Sequence, residues 1–236
     1  MMKASNWEFE NRAWLFGLVF AVAFPLYFPD HQNATQALAE WLAVRLKMDA
    51  DLLGRVLLAA GAALVAIAAW LRTWASAYLR ADVVYAKDIK TAAVVADGPY
   101  RYVRNPLYLA NVLMIIGMGT MMSRLGFLVA VVAMTVICYR LIFREEAELL
   151  AAQGESYSQY KKAVPRFLPL PWPRVPSAGG QARWANGFKA ELWYWGFALA
   201  VAGFAITLKQ IVFFVVLGAS LAIFFIQLGS EQKKKT

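Results

Sequence analysis

The chain has 236 residues, of which 61% are hydrophobic and only 17% charged, where a soluble globular domain carries about 45 to 50% apolar residues. With a mean hydropathy of +0.49, this composition argues against a water-soluble domain. Lys and Arg number 24 against 15 Asp and Glu; they sit between long apolar runs, which suits an anionic membrane surface and sets nucleic acid aside. One cysteine, Cys138, and one histidine, His31, exclude an intramolecular disulfide framework and a Cys-based zinc site. Metal catalysis is not expected, and any chemistry falls to Arg, Lys, Tyr, Asn and carboxylates, with an organic cofactor where needed.

Six apolar runs follow one another, at residues 13–28, 56–71, 107–122, 125–143, 192–208 and 211–228. Each approaches the roughly 20 residues that cross a hydrocarbon core once interfacial Trp, Tyr and Arg are included. The expected fold is therefore an all-α integral membrane protein of about six transmembrane helices. Only Ser123 and Arg124 separate the third and fourth runs, and only Lys209 and Gln210 the last two, so both pairs must be antiparallel hairpins. Between the first two runs, Ala34, Ala37, Trp41, Val44 and Met48 recur at helical spacing and predict a short helix lying in the interface.

For six spans, the side holding both termini carries 18 Lys and Arg and the opposite side four. The richer side is expected to be cytoplasmic, in the inner membrane of a bacterial host. The Lys233 to Lys235 run reads as a flank attracted to anionic lipid.

Two loops on that side are rich in aromatics and cations. In the first, Asp97-Gly98-Pro99 makes a turn, followed by Tyr100, Arg101, Tyr102, Arg104, Asn105 and Tyr108. Pro106 opens a helix, and the free backbone N–H groups behind it, with Arg101 and Arg104, form a seat for a carboxylate or phosphate. A positive membrane flank is the plain alternative. The second segment begins inside the fourth run at Arg140 and passes Arg144, Glu145, Glu146 and Glu148 to Tyr157, Tyr160, Val164, Pro165 and Arg166. Pairing along the helix surface explains Arg144 with Glu148, and snorkelling explains Arg140. An arginine within an apolar run is equally a functional-site candidate, and its expected partner is Glu145 or Glu146. Glu191, beside Trp193 and Trp195, reads as an interfacial anchor, with reach to the mouth of the site as the alternative.

The segment GPYRYVRNPLYLA at 98–110, followed after one hairpin by EEAELLAAQGESYSQYKKAVPRFLP at 145–169, resembles the isoprenylcysteine carboxyl methyltransferase and phospholipid methyltransferase superfamily. The shared pattern is a GPY turn, an Arg-His-Pro step, a Tyr two residues later, paired Glu, a Gly, spaced tyrosines and a Val-Pro. Here Asn105 replaces the commoner His, Ala110 a usual Gly, and Gln153 a usual aromatic. Asn keeps donor and acceptor but cannot titrate near neutrality.

The resemblance implies one polytopic domain over residues 1–236, with a methyltransferase-like core at 98–169 and an appended helical hairpin at 184–236. It implies S-adenosylmethionine as cofactor, held in a cytoplasmic pocket formed by loops, a lipid or prenylated acceptor, and an oligomeric state left open. Tyr100, Arg104, Asn105, Pro106 and Tyr108 would form one wall of the cofactor site and Glu145 and Glu146 the other. Tyr157, Tyr160, Val164, Pro165 and Arg166 would close over it. Arg140, Arg144 and Glu146 would orient the acceptor as the catalytic set. Two other readings remain: an NADPH-dependent sterol or enone reductase using Lys161, Lys162 and Arg166 on a 2′-phosphate, and a catalytically silent scaffold.

Overall fold

The computed structural model describes residues 3–79 and 96–233. The basic run at 233–235 lies outside the described side chains. The protein is an all-α membrane protein, and all six apolar runs are helical. Among the described residues the sole extended pairing is an isolated antiparallel bridge between Asn33 and Ser123.

A short helix α1 (Asn6–Glu10) is closed by a capping box, in which Ser5 Oγ accepts from Glu8 N and the Glu8 carboxylate accepts from Ser5 N. Helix α2 (Arg12–Ala23) runs into a 3-10 turn (Phe24–Tyr27). The predicted interfacial helix is α3 (Ala34–Leu46), capped by Asn33. It buries Thr35 and Ala39 and turns Trp41 and Val44 outward, as a helix at a bilayer boundary requires.

Helix α4 (Ala50–Tyr78) and helix α6 (Arg124–Gln153) have 29 and 30 residues and are long and apolar enough to span alone. Between them lie a 3-10 turn (Gly98–Arg101) and helix α5 (Pro106–Gly119). Helix α7 (Glu155–Ala163) follows, then α8 (Trp184–Ala190) and α9 (Leu192–Thr207), which are bent by 63° and together pass as one span. Helix α10 is Gln210–Lys233. The first and third runs make apolar helices shorter than a full crossing, while two of the expected six spans are long single helices and a third is the bent pair.

Helix α5 is the centre of the bundle. At 14 residues it is about 21 Å long, short of a hydrocarbon core. It is apolar all round because it is packed all round. On one side Tyr108, Val112 and Ile115 join Val19, Met134 and Leu141 of α2 and α6, together with buried Cys138. On the other, Ala110, Met114 and Met118 meet Val65, Ala69, Tyr194 and Val201 of α4 and α9. The α4–α5 crossing is close enough that a Cβ on Gly117 would stand 2.6 Å from the Gly61 carbonyl oxygen. Small residues permit this approach in place of a hydrophobic driving force between lipid-facing helices.

Candidate functional site

The GPY turn is set by two constraints on Gly98. Its φ is +56°, and a Cβ there would meet the Tyr78 ring at 2.3 Å. The turn buries Tyr100, whose carbonyl accepts from Tyr160 Oη at 2.8 Å. Arg104 and Asn105 then arrive opposite α6. Arg104 Nε and Asn105 Nδ2 donate to Glu146 Oε1 at 3.0 and 3.2 Å, and Arg166 Nη2 donates to Oε2 at 3.0 Å. Glu146 is 3% exposed, so this carboxylate is withdrawn from water and neutralised by two guanidinium groups.

The clamp joins three segments. Arg104 also donates to the carbonyls of Lys161 and Val164, its backbone N–H bonds Pro165 O at 2.8 Å, and Asn105 Nδ2 reaches Arg166 O at 3.0 Å. Of the carboxylate seat expected at the start of α5, Arg104 is engaged by the protein's own Glu146, while Arg101 turns to Val175 O. Beside it, Tyr108 Oη donates to Glu145 Oε1 at 2.5 Å. Tyr157, Tyr160 and Val164 pack together behind the clamp. Burial pushes both tyrosine hydroxyls of α7 well above their ordinary range, so they stay protonated.

The structure brings together Tyr100, Arg104, Asn105, Pro106, Tyr108, Glu145, Glu146, Tyr157, Tyr160, Val164, Pro165 and Arg166. Arg140 and Arg144 stand apart. The expected pairing of Arg140 with Glu145 or Glu146 is corrected: its Nε and Nη2 donate to Glu8 at 2.9 and 2.8 Å. The N-terminal helix reaches α6, where Ala4 N also bonds Arg140 O at 3.0 Å. This bidentate arginine pair, helped by the Ser5 N–H, lowers the Glu8 pKa to about 2. Arg144 bonds Glu148 at 2.8 Å and lies over the Phe9 ring, as helix-surface pairing predicts. Glu146 points into a different set of partners, because positions 140 and 144 share one face of α6 and 146 lies on another.

Two clusters escape the sequence reading. Asp97 accepts from Ser177 Oγ, from Ala178 N at 3.0 Å and from Gly180 N at 2.8 Å. Burial pushes its carboxyl up, but these bonds and the charge of Arg101 outweigh that and hold it below the usual range. With Arg101 Nε on Val175 O at 2.9 Å, this straps the proline-rich segment 169–180 across the GPY loop. The second cluster joins Arg72, Glu191, Asn111, Ser76 and Tyr194 in the interior. Glu191 is fully buried, which corrects its reading as an interfacial anchor. Its neighbours offered a signal in Asn111, an amide in the apolar run 107–122.

Among the described residues no group of three or more His, Cys, Asp or Glu stands together. Residues 56–154 match the family profile described as phospholipid methyltransferase. The chain is 26% identical over 177 residues to the cobalt-zinc-cadmium resistance protein CzcN of Cupriavidus metallidurans, covering 72% of this chain and 77% of that one. It is 37% identical over 92 residues to the protein-S-isoprenylcysteine O-methyltransferase of Schizosaccharomyces pombe, 37% of this chain and 38% of the relative. The nickel-cobalt-cadmium resistance protein NccN of Alcaligenes xylosoxydans xylosoxydans shares 28% identity over 86 residues, 36% of this chain and 40% of that one. The match thus spans well under half the length of the latter two relatives. No solved structure matches the chain. The matched segment, under half of the chain, includes the GPY turn, the Arg-Asn-Pro step and the paired glutamates, so it is over these signature residues that the chain is similar to phospholipid and isoprenylcysteine methyltransferases.

Proposed function

We propose that the protein is an S-adenosylmethionine-dependent methyltransferase that acts on a lipid or prenylated acceptor at the cytoplasmic face of the membrane. The observation that carries the reading is the convergence of the two signature segments, with Arg104, Asn105 and Arg166 gathered on Glu146 and Tyr108 on Glu145. The polar atoms left over suit the cofactor. Tyr100 is 8% exposed, and its hydroxyl bonds none of the described residues. Glu145 uses one carboxylate oxygen on Tyr108, which leaves the other to accept from a ribose diol or an amine.

When bound, the cofactor supplies an electrophilic methyl group, so the protein has to align the acceptor and exclude water. Glu146 acts as the hub that fixes both loops, Glu145 and Tyr100 face the ligand, and buried Tyr157 and Tyr160 close the site to solvent. Arg140 and Arg144, engaged with Glu8 and Glu148, lie at the rim of α6, where an acceptor head group entering from the bilayer would pass. The Lys and Arg distribution supports both termini on the cytoplasmic side.

The test is transfer of labelled methyl from S-adenosylmethionine by the full chain in nanodiscs, offered prenylcysteine, phosphatidylethanolamine and a small thiol in turn. Label in one acceptor, reduced at least tenfold by Glu145→Gln, is expected; no label in any would contradict the reading. The relatives named for metal resistance suggest a second role, metal tolerance through modification of a membrane component. A chain with one His and one Cys has little means of holding the ions itself.

A further inference from the structure

Helices α4, α5 and α9 meet at a buried polar cluster distinct from the Glu146 clamp. Arg72 is 7% exposed and Glu191 0%. Arg72 Nε donates to Glu191 Oε2 at 2.6 Å and Nη2 to Oε1 at 3.2 Å, while Ser76 Oγ donates to the same Oε1 at 2.6 Å. On its other edge Arg72 Nη1 donates to Asn111 Oδ1 at 2.8 Å, an oxygen that also accepts from Tyr194 Oη. The guanidinium lies 4.1 Å over the Tyr194 ring.

The chain of contacts has a direction. Asn111 lies three residues beyond Tyr108, one turn along α5 and on the same face. A carboxylate at the head of the C-terminal hairpin fixes a guanidinium, the guanidinium fixes an amide, and the amide fixes the rotation of the helix whose first turn carries Asn105 and Tyr108. Both clusters are anchored on α5, through Asn105 and Tyr108 at its start and Asn111 one turn on. Net stability is a poor reason for such a pair, since apolar residues of similar volume would hold the helices as well. What the bidentate fork adds is orientation. Glu191 lies outside the segment 56–154 that matches the family.

We infer that Glu191, acting through Arg72 and Asn111, is a positioning residue for the methyl-transfer site, and that the C-terminal hairpin is thereby a working part of that site. The inference rests on the methyltransferase reading. Glu191→Gln alone strands a buried guanidinium and lowers stability together with affinity, so the deciding variant is Arg72→Met with Glu191→Leu, which is apolar and keeps the packing. Thr73→Val is the control, because it removes the 2.9 Å bond from Trp195 Nε1 to Thr73 Oγ1 between the same two helices without touching Asn111.

Thermal unfolding and calorimetric affinity for S-adenosylhomocysteine are measured on the full chain in nanodiscs. The double variant is expected to unfold within a few degrees of wild type yet bind about tenfold more weakly, while Thr73→Val binds as wild type and Glu191→Asp recovers part of the affinity. Wild-type affinity in the double variant overturns the inference alone, as does an equal loss in Thr73→Val. Absence of binding in the wild type overturns both the inference and the reading beneath it.

Discussion

Glu146 shows how a single carboxylate organises the site. Three side chains donate to it from two segments, and it is almost fully buried. Removing it strands two guanidinium groups, so Glu146→Ala is expected to cost about 3 kcal/mol in stability, read by thermal unfolding in nanodiscs. An unchanged unfolding temperature would mean that the clamp bears no load. Asn105 fits the same logic: the contacts it makes, to Glu146 and the Arg166 carbonyl, need a donor and no titration, so an amide serves there.

Glu8 makes the opposite case, a partly exposed carboxylate with a depressed pKa. Its folded value of about 2 lies below its unfolded one, so its contribution is fully present above about pH 4.5 and is lost as pH falls toward the folded value. The wild-type unfolding temperature should decline through that acid window, and Arg140→Gln should flatten the decline. A decline of equal depth in the variant would show that other carboxylates account for it.

At the level of elements, Gly98 and Gly117 carry constraints that no polar contact can replace. Gly98→Ala forces a left-handed residue with a Cβ into the Tyr78 ring and is expected to destabilise by at least about 2 kcal/mol. Gly117→Val should separate α4 from α5 and abolish ligand binding; retained binding would show that the crossing tolerates widening. The helices and hairpins were legible because membrane spans announce themselves by apolar length, and the two signature segments because their residues lie close in sequence. The Arg72–Glu191 pair was not, since its members are 119 residues apart and each ends an apolar run, where an anchoring role suffices. Arg140 misled for the same reason: its partner came from the far end of the chain, a pairing that periodicity along α6 has no means of indicating.

For the whole molecule, α5 is the element on which everything converges, with the Glu146 clamp at its start, the Arg72 cluster one turn on, and packed helices on both sides. The protein thus seats the GPY loop and the 164–166 step on a short apolar helix packed on both sides. The Glu146 clamp, which gathers the two signature segments, is the feature that links fold to chemistry. Calorimetric titration of the full chain in nanodiscs with S-adenosylhomocysteine, and separately with NADPH, tests this most directly. The account predicts saturable binding of S-adenosylhomocysteine, weakened by Glu146→Ala, and no binding of NADPH; binding of NADPH alone, or of neither ligand, would contradict it.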